Sequence, residues 1–397
     1  MVPFDLLAPD VIADPYPHYA RLRAEQPIHW NEKYRTWFVA RYDDVVAAFK
    51  DPRLTADRAA ASKYRGRRRP EGQRTLASEP PEHTLVRGVL MKGLVPAIEK
   101  VGPRLDALVE GLLGRIEESV EGFLAGARLE GEVDLIRDFA YPLPITVIAD
   151  MFEVPVEHRD RFQRLSHDIA RGMDHFYSSR SDGSSFVELG EFFTALVEER
   201  RARPGSDLMS QFLEPTESGA RLTVEEAVGL STALLFAGHE TTVNLIGNGV
   251  LALLRNPSEL ERVRDDPKVA VTAVEELLRY DSPAQLIGRA ALEPLDLDGT
   301  PIARGDAVAL LLGSANHDAE RFPEPHRLDV ARKPNPHLAF GLGHHFCAGA
   351  NLSRLEGRAA IPPLLRHFPR LRLGTAAPVW RQTAVLRGLE SLPVALS

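Results

Sequence analysis

The chain has 397 residues, 44% hydrophobic and 26% charged, a balance typical of a globular protein and not of a disordered one. Its formal charge of -8 argues against a nucleic-acid binder, which would usually be basic. A single cysteine excludes an intrachain disulfide and any cysteine-cluster zinc or iron–sulfur site, so nothing requires an oxidising compartment.

Met1 to Asp10 carries neither a basic stretch nor a sustained apolar run, so no signal peptide or membrane anchor is expected and the protein reads as cytoplasmic. A short amphipathic helix is predicted over His18–Gln26. Ile28–Trp30 and Thr36–Ala40 read as a β-hairpin, and Asp43–Lys50 as a helix stopped near Pro52. Regularity fails from Arg53 to Pro81. The basic run Lys63–Arg74, broken by Gly and Pro, reads as a solvated loop, or alternatively as a flap able to steer an acidic partner.

Pro80-Pro81 is followed by His83 and Arg87, four residues apart and so on one face of a helix, where two donors suit a carboxylate; two surface residues would show the same spacing. Helical periodicity covers residues 97–128 and 186–203, and prolines 142 and 144 interrupt an apolar segment from Asp134 to Phe152. Gly172–Ser185 is rich in Ser, Asp and Gly and reads as a loop.

Thr223-Val224-Glu225-Glu226 is a capping-box signal that opens a long apolar pattern ending at Asn256-Pro257. Roughly 32 helical residues span about 48 Å, enough to cross a domain. His239, Glu240, Thr241, Thr242 and Asn244 in its middle argue against a transmembrane span and ask for hydrogen-bonded partners or a chemical role. Glu276 and Arg279 form an i, i+3 pair of a kind worth only about 0.5 kcal/mol when exposed. Strands are predicted at Leu286–Arg289, around an Asp298-Gly299 turn, at Ala307–Gly313, and in a terminal hairpin region over Pro369–Ser397.

The remaining stretch is Phe340-Gly341-Leu342-Gly343-His344-His345-Phe346-Cys347-Ala348-Gly349-Ala350, followed by a helical pattern from Asn351. A sulfur at a helix N-terminus meets free N–H groups and a partial positive charge, which favour thiolate. A lone buried cysteine acting as a small hydrophobe is the alternative.

The spacing of Phe340, Gly341, Gly343, His345, Cys347 and Gly349 resembles the haem-ligand loop of the cytochrome P450 family, in its soluble bacterial branch. Ala237-Gly238-His239-Glu240-Thr241 resembles the family's oxygen-activation segment. Pro80 to Arg87 and Glu276 to Arg279 resemble two further family motifs, in family order. The resemblance implies a single domain over 1–397, mainly α with a smaller β region. It places haem between the long central helix and the helix following the Cys loop.

It further implies haem b with Cys347 as metal ligand, propionates held by His83, Arg87, Arg289 and His345, and Phe340 and Gly349 framing the loop. Ala237 and Gly238 would leave room for O2, and Thr241 with Glu240 would relay protons. Arg327 would complete a buried trio with Glu276 and Arg279. The implied activity is oxygen-activating hydroxylation or epoxidation of an apolar or amphipathic small molecule in secondary metabolism by a monomer. With no flavin or iron–sulfur motif, electrons would come from a ferredoxin and its reductase, docking near Arg354 and Arg358 on the Cys side. No nucleic acid and no membrane is implied as partner. Leu234, Ala237, Ala284, Leu286 and Val385 are candidates to line the substrate pocket.

Three other readings stand beside this one. A peroxide-driven relative would tend to lack the acid–alcohol pair, which is present here. A P450 catalysing oxidative coupling is not separable by sequence. A non-catalytic haem-binding relative would be expected to lose the Cys loop or that pair.

Overall fold

In the computed structural model, residues 4–57, 73–124, 132–172, 184–216 and 219–396 are described. Tertiary packing divides the chain into two compact units. One comprises Met1–Gly66, Asp106–Leu143 and Thr241–Ser397, the other Arg67–Leu105 and Pro144–Glu240. The chain is mainly α-helical, with a smaller β region.

All the described strands lie in the first unit. Strands β1 (Ile28–Asn31) and β2 (Thr36–Val39) form the expected hairpin. Strands β3 (Leu54–Thr55), β5 (Ile287–Ala291) and β8 (Ala307–Leu310) extend it into a five-stranded sheet of order β1-β2-β8-β5-β3. β2 runs parallel to β8, and β8 antiparallel to β5 with Arg289 opposite Val308. Val39, Phe49, Val308, Leu310 and Leu338 belong to one buried cluster, with Ile287 and Leu342 packed against it. β6 (Leu295–Leu297) and β7 (Thr300–Ile302) close around Asp298 and Gly299 at φ 47° and 76°. Both values are positive, as a tight two-residue hairpin turn requires. β4 (Glu132–Asp134), β9 (Arg372–Leu373) and β12 (Pro393–Ala395) form a second sheet, and β10 (Val379–Trp380) pairs with β11 (Leu389–Ser391).

The central helix runs Val224–Leu254. Its capping box forms as expected: Glu226 N–H donates to Thr223 Oγ1 at 3.2 Å, and Thr223 N–H donates to the Glu226 carboxylate at 2.9 Å. Helical residues from Glu82 and from residue 97 prove to be one helix, Glu82–Leu124, with Pro96 and Pro103 inside it. Buried Val86, Leu90, Leu94, Val101, Leu105 and Val109 carry one apolar stripe past both prolines, and burial of that stripe overrides the local propensity. Pro142 opens the helix Pro142–Met151 after a π-turn at Ile136–Ala140, a position where its missing N–H removes no helical bond.

The second unit holds helices and loops and no strand among its described residues, with Phe152, Phe162, Phe193 and Phe212 buried together. Of the basic run, residues 63–72 lie outside the described residues, as do 173–183 of the expected Gly172–Ser185 loop and 125–128 of the expected helix. Arg74 is described, and its guanidinium grips Glu226 at 2.6 and 2.7 Å.

Glu276 and Arg279 on the helix Ala270–Tyr280 are fully buried and joined by two bonds of 2.8 Å. The third member of this trio is Arg332, not Arg327 as the sequence reading had it. Arg332 Nε lies 3.1 Å from both Glu276 oxygens. The Arg327 side chain is 60% exposed and faces Glu324 and Asp329, and only its carbonyl accepts from Arg279. The turn that presents Leu328 to the core points Arg327 outward, and the chain returns to Glu276 five residues later.

Candidate active site

In the first unit the Cys loop is held by its own backbone. Gly341 N–H donates to Leu338 at 2.8 Å, Phe346 N–H to Gly343 at 3.0 Å, and Cys347 N–H to Phe340 at 3.0 Å. Gly341 and Gly343 adopt φ 69° and 78°, a region costly for residues with a Cβ. A side chain at Gly341 would also meet Ile287 and Phe49 at 3.6–3.7 Å. Gly349 is the N-cap of the helix Ala350–His367, so the exposed Cys347 stands at the positive end of 18 aligned peptides.

Arg354, one turn into that helix, grips Glu275 at 2.7 and 2.8 Å and lies over the Phe340 ring, 4.6 Å from its centre. His337 shares Glu275 at 3.0 Å. Burial alone would raise the Glu275 carboxyl, but Arg354 and His337 outweigh it and hold it at about 2. The Arg354 guanidinium is held above its usual value by Glu275 first, with the charge of Cys347 contributing. The effect is reciprocal, so Arg354 favours the thiolate. Arg354, one of the two arginines expected on the docking side, has its guanidinium engaged in the support of the loop.

Arg289 is buried on β5, its guanidinium 5.2 Å from the Phe49 ring centre. Phe49 therefore contacts both the arginine's neighbourhood and the Cys loop. His345 lies half-buried on the short turn Gly343–His345, beside His344. Thr241 is half-buried on the central helix in this same unit. Ala284 bridges Leu386, and Gln285 N–H donates to Val385 at 2.8 Å, so two of the pocket candidates lie on paired segments.

The second unit carries His83, Arg87, Ala237, Gly238 and Glu240. His83 is buried and Arg87 half-buried, one turn apart on the helix Glu82–Leu124. Ala237 is exposed, and Glu240 and His239 are buried. A Cβ at Gly238 would sit 2.9 Å from Ile148 Cδ1, so close helix packing is one reason for glycine there. Ser166 lies 3.1 Å from His239 Nδ1, a partner invisible in the sequence.

Two further polar residues of the central helix find partners in the first unit. Asn248 donates to the Arg387 carbonyl at 2.9 Å, and Thr242 Oγ1 to Glu356 Oε2 at 3.4 Å. Glu356, nine residues past Cys347 and fully buried, was missed by sequence reasoning. Burial pushes its pKa up to about 8, against a weaker pull from Thr242. Its signal was a carboxylate among Leu352, Ala360 and Ile361 on the apolar face of the Cys helix.

Cys347 belongs to no group of three or more side-chain metal ligands among the described residues. A metal bound by this sulfur must bring most of its own coordination, as iron in a porphyrin does. The exposed sulfur and the glycine-rich loop fit that group.

The comparisons agree. A family profile described as Cytochrome P450 matches residues 27–374. Cytochrome P450 monooxygenase PikC of Streptomyces venezuelae is 39% identical over 98% of this chain and 92% of its own. The solved structure of the bacillaene polyketide synthase cytochrome P450 PksS of Bacillus subtilis superposes with TM-score 0.88 at 35% identity, covering 100% of both chains. That of P450BioI in complex with an acyl carrier protein bearing hexadec-9Z-enoic acid gives TM-score 0.85 at 35% identity, covering 98% of this chain and 100% of that one. No helix among the described residues is long and apolar enough to cross a membrane. The chain belongs to the cytochrome P450 family, whose cofactor is haem b, and is a monooxygenase.

Proposed function

We propose that residues 1–397 act as one cytochrome P450 domain that hydroxylates or epoxidises a sizeable apolar or amphipathic metabolite of the polyketide type, with Cys347 as the thiolate that would hold the haem iron. The observation that carries the site assignment is Cys347 itself: exposed, at the start of an 18-residue helix, on a loop with two left-handed glycines. When bound, haem supplies the redox-active iron and the activated oxygen.

The chain's own residues do the rest. Arg354, held by Glu275, brings a positive charge to the side of the cysteine and keeps the Phe340 side of the loop in place. His83, Arg87, Arg289 and His345 bind the two propionates; charge-assisted bonds of this kind are the strong ones. Phe340 and Gly349 frame the sulfur, and Ala237 and Gly238 keep the central helix slim beside the oxygen site. Thr241 Oγ1 holds a proton for delivery, and Glu240 resupplies it. Glu356, protonated at neutral pH, keeps a neutral donor or acceptor beside Thr242.

Support for the substrate class comes from the name of this chain's relative PksS, a polyketide biosynthesis P450, and from the small or aliphatic lining candidates Leu234, Ala237, Ala284, Leu286 and Val385. Oxidative coupling on the same kind of substrate remains the second reading, and the carrier-protein complex of P450BioI supports testing carrier-borne as well as free substrates. A ferredoxin and its reductase supply electrons in the cytoplasm, with Arg358 on the Cys helix at the docking side, and the enzyme works as a monomer. Titrating the haem-loaded protein with macrolides, other polyketides and acyl carrier proteins, and watching for a low-to-high-spin change, tests the substrate class. A panel that gives a shift with terpenoids or steroids and none with polyketides rejects it.

A further inference from the structure

In the first unit, the segment that carries Ala284 and Leu286 runs antiparallel to the one that carries Val385. Arg387 N–H donates to the Pro283 carbonyl and Gln285 N–H to the Val385 carbonyl, each at 2.8 Å, and Ala284 stands opposite Leu386. A ladder this short does not hold itself, so its placement needs outside anchors. The Arg387 side chain supplies them. It is 8% exposed, and its guanidinium donates to Asp281 Oδ1 at 2.8 Å, to the Ala13 carbonyl at 3.1 Å and to the Ile12 carbonyl. Those carbonyls end the short helix Pro9–Ala13, where helix geometry leaves them without an intrahelical partner. Tyr16 OH donates to the same Asp281 oxygen at 2.6 Å, and its ring is stacked on His317 with centroids 4.0 Å apart. Burial first, and then the Asp281 charge, hold the Tyr16 phenol well above its usual value, so it keeps the proton it donates. The guanidinium lies 3.7 Å from the centre of the Trp380 ring, and Asn248 of the central helix donates to the Arg387 carbonyl at 2.9 Å. Behind the turn, Leu6, Val11 and Ile12 face Thr383 and Ala384 across a gap of only about 20 Å³. The turn therefore rests on the N-terminal segment, and close packing passes a shift in one to the other.

We propose that Arg387 is a positioning residue for the substrate pocket: held by Asp281 and Tyr16, it sets how far the Thr383–Leu386 turn stands into that pocket. The proposal rests on the reading that Ala284, Leu286 and Val385 line the pocket. A guanidinium serves one carboxylate and two carbonyls at once because its donors are fixed in a planar fork; an ammonium has no such fork. Removing the Tyr16 hydroxyl leaves the buried Asp281 carboxylate with a bond unmade. The arginine then re-aims toward the carboxylate, and Val385 lies only two residues away along the chain. Tyr16 and the helix Pro9–Ala13, remote in sequence from every lining candidate, thereby act on substrate binding.

Spectral titration of the haem-loaded full chain with two azoles tests this. Clotrimazole, a bulky triaryl imidazole, must fit the pocket lining to reach the haem, whereas imidazole itself is small enough to reach it without pressing on that lining. Tyr16→Phe removes the donor to Asp281 and keeps the ring; Arg387→Lys keeps the charge without the fork. Each should bind clotrimazole at least about threefold more weakly, a coupling of the size found within one bonded network, with imidazole binding unchanged. Amide exchange should quicken in peptides spanning 283–287 and 383–388 and stay as in the wild type over 340–350. A general loosening of the fold would instead weaken both azoles alike and quicken exchange throughout, and that result overturns the proposal. Tyr16→Phe decides alone if Arg387→Lys does not fold. Ala284→Leu, which adds bulk to the lining itself, separates this proposal from the reading beneath it. If Ala284→Leu weakens clotrimazole while Tyr16→Phe binds it as the wild type does, the positioning role is rejected and the pocket stands. If Ala284→Leu has no effect, the pocket assignment falls, and the proposal with it.

Discussion

The Arg354 guanidinium lies 4.6 Å from the centre of the Phe340 ring while its nitrogens hold Glu275 at 2.7 and 2.8 Å. One side chain thus joins the helix that follows the cysteine, the loop that precedes it, and the helix Ala270–Tyr280. Replacing it removes a bidentate pair and a cation–π contact, both partly solvated. Arg354→Ala should lose about 1–2 kcal/mol of stability. Its reduced carbon monoxide complex should also pass faster to the thiol-ligated form. Thermal melting followed through that spectrum checks both, and an unchanged midpoint and decay rate would remove Arg354 from the support of the loop.

Cys347→Ser should fold, since the loop's bonds are made by backbone and Cys347 is exposed. It should lose the thiolate-type Soret band of the reduced carbon monoxide complex. Circular dichroism separates loss of the ligand from loss of the fold. Retention of the band in a folded variant would contradict the ligand assignment.

Thr241→Ala is expected to keep reduced-cofactor consumption while product falls severalfold, the excess appearing as peroxide or water. The ratio of product to electrons consumed is the measurement. Unchanged coupling rejects the proton-delivery role of Thr241.

Glu356 gives a pH dependence of definite sign. Its folded pKa of about 8 lies above the 4.5 of an ordinary glutamate, so the native state keeps a proton that the unfolded chain releases. The stability this contributes is full below about 4.5 and is lost as pH rises toward about 8. Glu356→Gln, which cannot ionise, should flatten chemical-denaturation stability across that window. A variant with the same slope as the wild type would show that Glu356 is not held neutral.

Glu226 has the opposite sign. Burial would raise its carboxyl, but the Arg74 bonds and the Thr223 and Arg74 backbone N–H groups outweigh burial and hold it at about 2. Its contribution is present above about 4.5 and fades as pH falls toward about 2. Glu226→Gln should be less stable than wild type at pH 7, with the difference narrowing on acidification. A gap that stays constant over that range would mean that the pair does not tune the carboxylate.

Much was readable without coordinates. The hairpin at Ile28–Ala40, the capping box at Thr223, the Asp298-Gly299 turn and the helix after Cys347 rest on neighbours in the chain, and local chemistry decides them. The family motifs, by order and spacing, were enough to name haem and monooxygenase. Other features depend on residues far apart in sequence. Periodicity could not show that burial would carry one helix through Pro96 and Pro103. A proline-arginine spacing pointed to Arg327, yet which arginine reaches Glu276 depends on how the turn at Leu328 seats in the core, and that turn selects Arg332.

The sequence by itself determined that one sulfur stands on a glycine-loosened turn before a helix, because no second cysteine exists and glycine spacing is a local property; its proposed role as metal ligand rests on the resemblance of that loop to the family's haem-ligand loop. Tertiary structure alone decided what surrounds it. Arg354 turned from a surface cation into a clamp on Glu275, Glu356 became a buried acid held neutral, and His317 met His326 across nine residues. Burial and charge pairing are sums over neighbours, and only folding selects those neighbours.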